Sequence, residues 1–401
     1  MNQNFGETKN LLAQPLVLPC GVQLKNRLVK SAMSDSLGDG AGSPTKAQIR
    51  LYERWAEGGA ALSLIGEVQV SPHYPEKPGN LVFSPDADVP ALTKLAERGS
   101  MNDAQIWPQL GHAGALSHAP ISTPKGPSPI DSTGLHCAGM SLDEVRDLPQ
   151  IYAQAAALAQ QAGFGGVLIH AGHGFLLSQF LSPLFNHRTD TYGGTIEKRF
   201  RIIGEVIAAI RQRVGASYPI GIKINSTDNL EGGLTREDAK QVVRLLDQTS
   251  LDLIDISGGT YFPGAVSSSD GTSSAGPYFA DFAKSAKKIT SIPIILTGGF
   301  ETRDQALSAL QEGAADAVSL ARAMALNPSL ANAWLSDAGG DPEFPRFKSP
   351  PHGGVTAWYS MRLTALGENN EDSFDLSPAD ALAAYENRDA IRSQRWLNRF
   401  G

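Results

Sequence analysis

Eight short apolar runs, each followed by an amphipathic stretch, constrain the fold of this chain more than any other feature. In order they read "NRLVKSAMS", "AALSLIGEV", "NDAQIWPQL", "FGGVLIH", "PIGIKIN", "LDLIDIS", "IPIILTGG" and "ADAVSLARA". Runs that are apolar without strict alternation suit strands of a parallel sheet covered by helices. The covering segments carry the helical period: Ile196, Phe200, Ile203, Ile207, Ile210 and Val214 recur at spacings of three and four, which is one face of a helix. Thr302 with Gln305, and Thr45 with Gln48, have capping-box spacing, and Thr235 with Asp238 is a weaker version. Gly313 stands where the seventh helix should stop. Eight such units in series favour a closed (β/α)8 TIM barrel, an α/β fold, over an open doubly wound sheet.

Two segments fall outside the repeat. Residues 111–147 are rich in Pro, Gly and Ser and follow the third run. They predict an insertion in a βα loop, on the face where barrel enzymes carry their chemistry. Residues 336–401 form a tail whose Trp358, Tyr359 and Trp396 predict packing on the barrel or on a second subunit, so a homo-oligomer is one expectation. The barrel itself, with a leading N-terminal hairpin, is expected over residues 1–335.

Composition narrows the function. Forty-one per cent apolar and 19% charged residues are globular values, and a net charge of −7 supplies no basic face for nucleic acid and no support for an anionic membrane surface. The 2 cysteines, Cys20 and Cys137, make no CxxC pair and no disulfide framework, so a reduced, cytoplasmic setting is the simpler expectation. The start, "MNQNFGETKNLLAQPLVLPCG", lacks the apolar core of a signal peptide, and no run approaches the length of a membrane span.

In a barrel, reactive groups come from the C-terminal ends of the strands. Those ends are Ser31 to Ser34, Gly66, Gln109, His170 with His173, Lys223, Ser257 with Gly258, Gly298 with Gly299, and Ala321 with Arg322. No carboxylate pair for glycoside chemistry and no GxSxG elbow stands among them. Gly298, Gly299 and Arg322 lie where barrels bind phosphate; the alternative is a plain turn and a surface cation. Lys223, inside "GIKIN", is a Schiff-base lysine, a charge beside an anionic cofactor, or a side chain snorkelling to solvent. His170 and His173 are structural, or a metal pair, or two donors that hold a carbonyl or phenolate oxygen. The metal reading lacks a third ligand, since the strand ends offer no acidic or histidine partner; His112 and His118 in the insertion are weak candidates.

Four segments carry a resemblance: "LKNRLVKSAMS", "QLGHAG", "IHAGHGFLLSQFLSPLFNHRTDTYGGTIEKRFR" and "ILTGGF" followed by "GAADAVSLARAMALNP". With these the chain resembles the old yellow enzyme family of FMN-dependent NAD(P)H:flavin oxidoreductases, or ene-reductases, over roughly residues 14–335. The resemblance implies that Ser31, Ala32, Met33 and Ser34 lie along the flavin, with Ser34 donating toward its carbonyl edge. Gln109 would bind the pyrimidine part, and Lys223 would sit near N1 and the C2 oxygen, where most members have arginine. Gly66, replacing a more common alanine, and His170, Ser257 and Gly258 complete the flavin surroundings. Gly298, Gly299, Ala321 and Arg322 would hold the FMN phosphate, Ala321 standing where glycine is usual.

The implied reaction is hydride transfer from NAD(P)H to FMN, then to the β carbon of an electron-poor alkene whose oxygen His170 and His173 hold. The family's usual proton donor is a tyrosine two residues beyond the second histidine, and Phe175 stands there. A phenyl ring donates no proton, so Tyr261, Tyr74 or water is expected to substitute, or the acceptor is a quinone or dye that needs no such donor. Other classes are an FMN-dependent tRNA dihydrouridine synthase, disfavoured by the acidic charge and the lack of a strand-end cysteine, a colourless Schiff-base aldolase using Lys223, and a barrel kept as a binding module.

Overall fold

The computed structural model describes residues 10–263, 265, 276–336 and 339–401. The first half of the segment read for a signal peptide, residues 1–9, lies outside them. Eight parallel strands close on themselves: β1 (Leu28–Lys30), β2 (Leu62–Gln69), β3 (Gln105–Gly111), β4 (Val167–Ala171), β5 (Ile220–Asn225), β6 (Leu253–Ser257), β7 (Ile294–Thr297) and β8 (Ala317–Leu320). Each pairs with its neighbours in chain order, and β8 pairs with β1 to close the ring. The helices are α1 (Lys46–Glu57), α2 (Val89–Gly99), α3 (Leu142–Gln161), α4 (Leu176–Leu181), α5 (Ile196–Val214), α6 (Arg236–Leu246), α7 (Ala280–Ala286), α8 (Arg303–Gln311), α9 (Arg322–Leu326), α10 (Leu330–Ser336), α11 (Gly354–Gly367) and α12 (Pro378–Phe400). The fold is the (β/α)8 barrel expected.

Side-chain direction explains two separate cores. Successive strand residues point to opposite faces. Leu62, Leu64, Trp107, Leu168, Leu253, Ile295 and Ala317 fill the barrel interior, and Leu16, Leu18 and Leu24 of the N-terminal hairpin (Leu16–Val17 with Gln23–Leu24) plug its lower end. The alternate residues, such as Ile222, Ile254, Leu296 and Val318, face the helices in a larger core. Phe200, Ile203, Ile207, Ile210 and Val214 of α5 are buried in that layer and Ile196 packs at its edge.

The caps turn out unequal. Thr302 and Gln305 form both halves of a capping box. Thr45 accepts from the Gln48 amide, but the Gln48 side chain donates to Asp35 instead of returning to the cap, so only half the box forms there. Thr235 accepts from the Asp238 amide, and Gly313 takes φ +67° just after α8.

The segment after β3 contains a small sheet (Lys125–Gly126, Ile130–Ser132, Leu135–Gly139). It is shorter than the expected 111–147, because α3 begins at Leu142 under a Ser141–Glu144 capping box. Beyond the barrel, α11 packs against α1 and α9. From α12, Trp396 is buried and donates to the Pro72 carbonyl at 3.1 Å, and Arg392 donates to the Ser36 carbonyl. Among the described residues no helix is long and apolar enough to cross a membrane.

Candidate active site

The polar mouth follows from the same two-residue period that fills the apolar layer. Two residues beyond Trp107, Leu168, Leu253, Ile295 and Ala317 stand Gln109, His170, Asp255, Thr297 and Ser319, all buried and on the inward face. Gly221 and Lys223 have the same relation on β5. In the register His170 lies opposite Lys223, and Lys223 opposite Asp255.

Lys223 is 1% exposed, and its Nζ lies 2.8 Å from Asp255 Oδ2. The side chain therefore does not snorkel to solvent. A buried cation needs such a partner, since desolvation of an unpaired charge is expensive. Thr297 Oγ1 donates to the other oxygen, Asp255 Oδ1, at 2.7 Å, and Ser31 Oγ stands 3.5 Å from Thr297 Oγ1.

The histidines form the centre of a chain of contacts. His170 Nε2 and His173 Nδ1 are 3.1 Å apart, and His173 Nε2 is 2.9 Å from Ser257 Oγ. On the other side, His170 Nδ1 is 3.0 Å from Glu67 Oε1, and Gln109 Nε2 donates to the same oxygen. Burial, with the Lys223 charge and, for His173, the neighbouring His170, holds both imidazoles well below their ordinary range, so they are neutral. Burial pushes the Glu67 carboxyl up to about 8, against the pull of Gln109 and Lys223. An acidic partner to the pair thus exists, contrary to the sequence reading. Even so, no group of three or more His, Cys, Asp or Glu side chains among the described residues could hold a metal.

His173 sits at φ +58°, a left-handed conformation that a residue with a Cβ adopts at a cost. It is held there by its amide donating to Asn225 Oδ1 at 2.9 Å and its carbonyl accepting from the Tyr261 amide at 3.1 Å. This turn bends the second ring back onto the first.

Phe175 is buried, edge-on to His170 with centroids 4.8 Å apart. The Tyr261 ring is 5.9 Å from both His173 and Phe175, and the residue is 59% exposed. Tyr74 instead stacks on His112, centroids 4.4 Å apart. His112 is a structural histidine: its Nδ1 accepts from the Gly114 amide at 3.0 Å, and burial takes it down to about 3. His118, lowered to about 4 chiefly by burial, has its amide bonded to the Pro75 carbonyl.

At the early strand ends, Ala32 and Met33 lie against Gly66, where a Cβ would come within 3.0 Å of the Met33 amide nitrogen. The Ser34 hydroxyl donates to Glu76 at 2.9 Å rather than into the barrel mouth. At the late strand ends, Gly298 and Gly299 take φ +105° and +81°. Gly299 faces the Gly276 carbonyl, and Phe279 lies against Gly258 and Gly298, so these glycines also make room for the chain's own 276–279 segment. Arg322 follows Ala321 at the start of α9, its guanidinium 5.1 Å from the Tyr359 ring centre.

The donor set fits FMN at the ring end. Gln109 Oε1 is buried with no hydrogen-bond partner, and an acceptor in that state suits the N–H of a pyrimidine ring. The buried Nζ of Lys223 would suit the electron-rich part of a reduced ring. For a phosphate there are the backbone amides of Gly298, Gly299 and Ala321 and the Arg322 fork. Sequence reasoning missed Glu67, Asp255, Thr297 and Ser319. Asp255 was detectable as an acidic residue two places before Ser257 in an otherwise apolar run. Glu67 was not, because the β2–β3 register shifts between Ile65 and Val68, and strand parity alone assigns residue 67 to the outer face.

The chain is similar to known flavin oxidoreductases. An NADH-dependent flavin oxidoreductase of Hypocrea jecorina is 34% identical over 352 residues, 79% of this chain and 86% of its own length. An NADH oxidase of Thermoanaerobacter brockii is 31% identical over 76% of this chain, which spans 48% of that longer protein. Among solved structures, morphinone reductase superposes with a TM-score of 0.71 at 25% identity, covering 83% of this chain and 91% of its own. The NADH:flavin oxidoreductase / NADH oxidase family model matches residues 12–335, the stretch that builds the barrel and every group described at its mouth, and the chain belongs to that family.

Proposed function

We propose that this chain is an ene-reductase-type flavoprotein that uses NAD(P)H to reduce small electron-poor acceptors, enones or quinones, at the barrel mouth. Bound FMN would supply the two-electron chemistry, accepting a hydride from the nicotinamide and giving it to the acceptor. The residues of the chain do the rest. Lys223, paired with Asp255, would set its Nζ against the electron-rich part of the ring. Gln109 Oε1 orients the pyrimidine edge. His170 Nε2 and His173 Nδ1 share a hydrogen bond at 3.1 Å, and an acceptor oxygen that replaces this contact would accept from whichever of the two nitrogens carries its ring's proton. Hydrogen bonds aimed at an oxygen that gains charge stabilise the transition state more than the ground state. Phe175 keeps the adjoining wall apolar, and Tyr261 is the phenol nearest to it.

The observation that carries this reading is the His170–His173 pair set beside a buried Lys223–Asp255 ion pair and the unpartnered Gln109 acceptor. A Schiff-base aldolase is less well supported, because an ammonium held in an ion pair has no free lone pair for a carbonyl. The test is the purified protein itself. It should carry flavin absorbance that bleaches with NADH or NADPH without oxygen and returns when an enone or quinone is added. A colourless protein that does not take up added FMN would overturn the reading.

A further inference from the structure

Glu67 is a buried acidic group in the mouth that the reaction outlined above does not use. Its carboxyl oxygen lies 3.0 Å from His170 Nδ1, and His170 Nε2 in turn faces His173. The space for the carboxylate is built in: a Cβ at Gly111 would come within 2.5 Å of Glu67 Oε2. From this chain of contacts we propose that Glu67 acts through His170 as the proton reservoir of the site, delivering a proton to the oxygen of the bound acceptor rather than to a carbon. The inference rests on the flavin-reductase reading and names which acceptors it favours.

A neutral imidazole carries one N–H. If Glu67 is a carboxylate, His170 places its proton on Nδ1, and Nε2 has nothing to donate to a substrate. If Glu67 is protonated, it donates to Nδ1, and the ring proton moves to Nε2, the nitrogen that faces His173 and that a docked acceptor oxygen would reach by replacing that contact. The carboxyl is held at about 8, chiefly by burial, so the protonated form is present at neutral pH. His170 stays neutral throughout, because burial and Lys223 oppose an imidazolium.

A quinone takes a hydride, originating from NAD(P)H, on one carbonyl oxygen. The π pairs shift through the ring, which becomes aromatic, and the pair left on the second oxygen forms an O–H bond with the His170 Nε2 proton. His170 Nδ1 takes the Glu67 proton, leaving a carboxylate that solvent reprotonates after product leaves. The nicotinamide is oxidised, and the quinone becomes its hydroquinone. An alkene needs its proton on carbon, where Phe175 offers none. The site therefore favours acceptors whose reduced product bears the new proton on oxygen. The other titratable groups around Glu67 and His170 include His173, Lys223 of the adjacent strand β5 and Asp255 of β6, Tyr52 of α1, Tyr152 of α3, and Glu76 and Tyr261.

The test uses the holoprotein with oxidised flavin and 15N-labelled histidine. NMR of the His170 ring should show an Nε2–H tautomer at neutral pH that gives way to Nδ1–H as the pH passes through the Glu67 titration. In Glu67→Gln the exchange should vanish, leaving one tautomer at every pH. In stopped-flow, the same variant should slow reoxidation of the flavin by a quinone at least tenfold relative to its reduction by NAD(P)H, with loss of the solvent isotope effect on that step. A wild-type ring fixed in one tautomer, or seen as an imidazolium, overturns the proposal without needing any variant. So does a Glu67→Gln protein with an unaltered ratio of the two half-reactions. Failure of flavin to bind or bleach in wild type would instead count against the function itself.

Discussion

Lys223 Nζ and Asp255 Oδ2 meet at 2.8 Å on adjacent strands, at the same height in the barrel. Removing one partner of such a pair leaves the other buried and uncompensated, at a cost of about 3–5 kcal/mol. Lys223→Met should lower the melting temperature and release FMN. The double variant Lys223→Met/Asp255→Val should recover much of the stability but not flavin retention, because the charge facing the ring is still gone. Calorimetry and flavin content after gel filtration read the two effects separately. Recovery of both would mean that Lys223 serves the fold alone.

His170→Ala with His173→Ala removes both nitrogens that the proposed reaction sets against the acceptor oxygen. The flavin should stay bound and still bleach with NAD(P)H. Reoxidation by an enone should fall by roughly 10²–10³, the usual effect of losing an oxyanion donor. Stopped-flow of the two half-reactions checks this, and an unchanged oxidative rate would remove the histidines from the mechanism.

Phe175→Tyr places a phenol beside His170, whose ring centre is 4.8 Å from that of Phe175. Reoxidation by an alkene should accelerate, by up to about 10² for a positioned acid, with little change for a quinone. Equal changes in both half-reactions would show that position 175 acts through packing. Tyr261→Phe is the companion: a fall in alkene turnover would identify the substitute donor.

The Glu67 carboxyl also couples stability to pH. Its folded value, raised to about 8, lies above the ordinary value of 4.5. The folded state therefore holds the proton more tightly than the unfolded state across that window. The stability contributed by the neutral acid is full below pH 4.5 and is lost as the pH rises through about 8. Between those limits wild type should lose stability that Glu67→Gln does not, on the order of a few kcal/mol. Urea unfolding of both proteins at several pH values measures the difference, and parallel curves would place Glu67 in an ordinary aqueous setting.

Trp396 of α12 is 1% exposed and clusters with Val82 and Ile121. We propose that the tail is part of the folded unit rather than an appendage. Trp396→Ala should cost about 3–5 kcal/mol, read as a lowered midpoint in denaturant. A neutral effect would mean that the tail docks without contributing stability.

The barrel was readable in the sequence because eight apolar runs separated by helical periods leave few ways to cover both faces of every strand. Gln109, His170 and Lys223 were readable for the same reason: each interrupts an apolar run near its end. Asp255 does so as well, yet strand position alone did not say that it lay opposite Lys223. Ser34 was placed by its strand end and Tyr74 by its loop, and neither position sets a side chain's direction; one hydroxyl turned to Glu76 and one ring to His112.

Periodicity by itself determined the strand count and favoured a closed ring, because apolar runs without strict alternation need cover on both faces. Which inward groups touch was left to the folded molecule. The shift between Ile65 and Val68 turned Glu67 toward His170, and the left-handed backbone at His173 folded one imidazole onto the other. Both depend on contacts between segments far apart in the chain, and no local rule of propensity or spacing contains them.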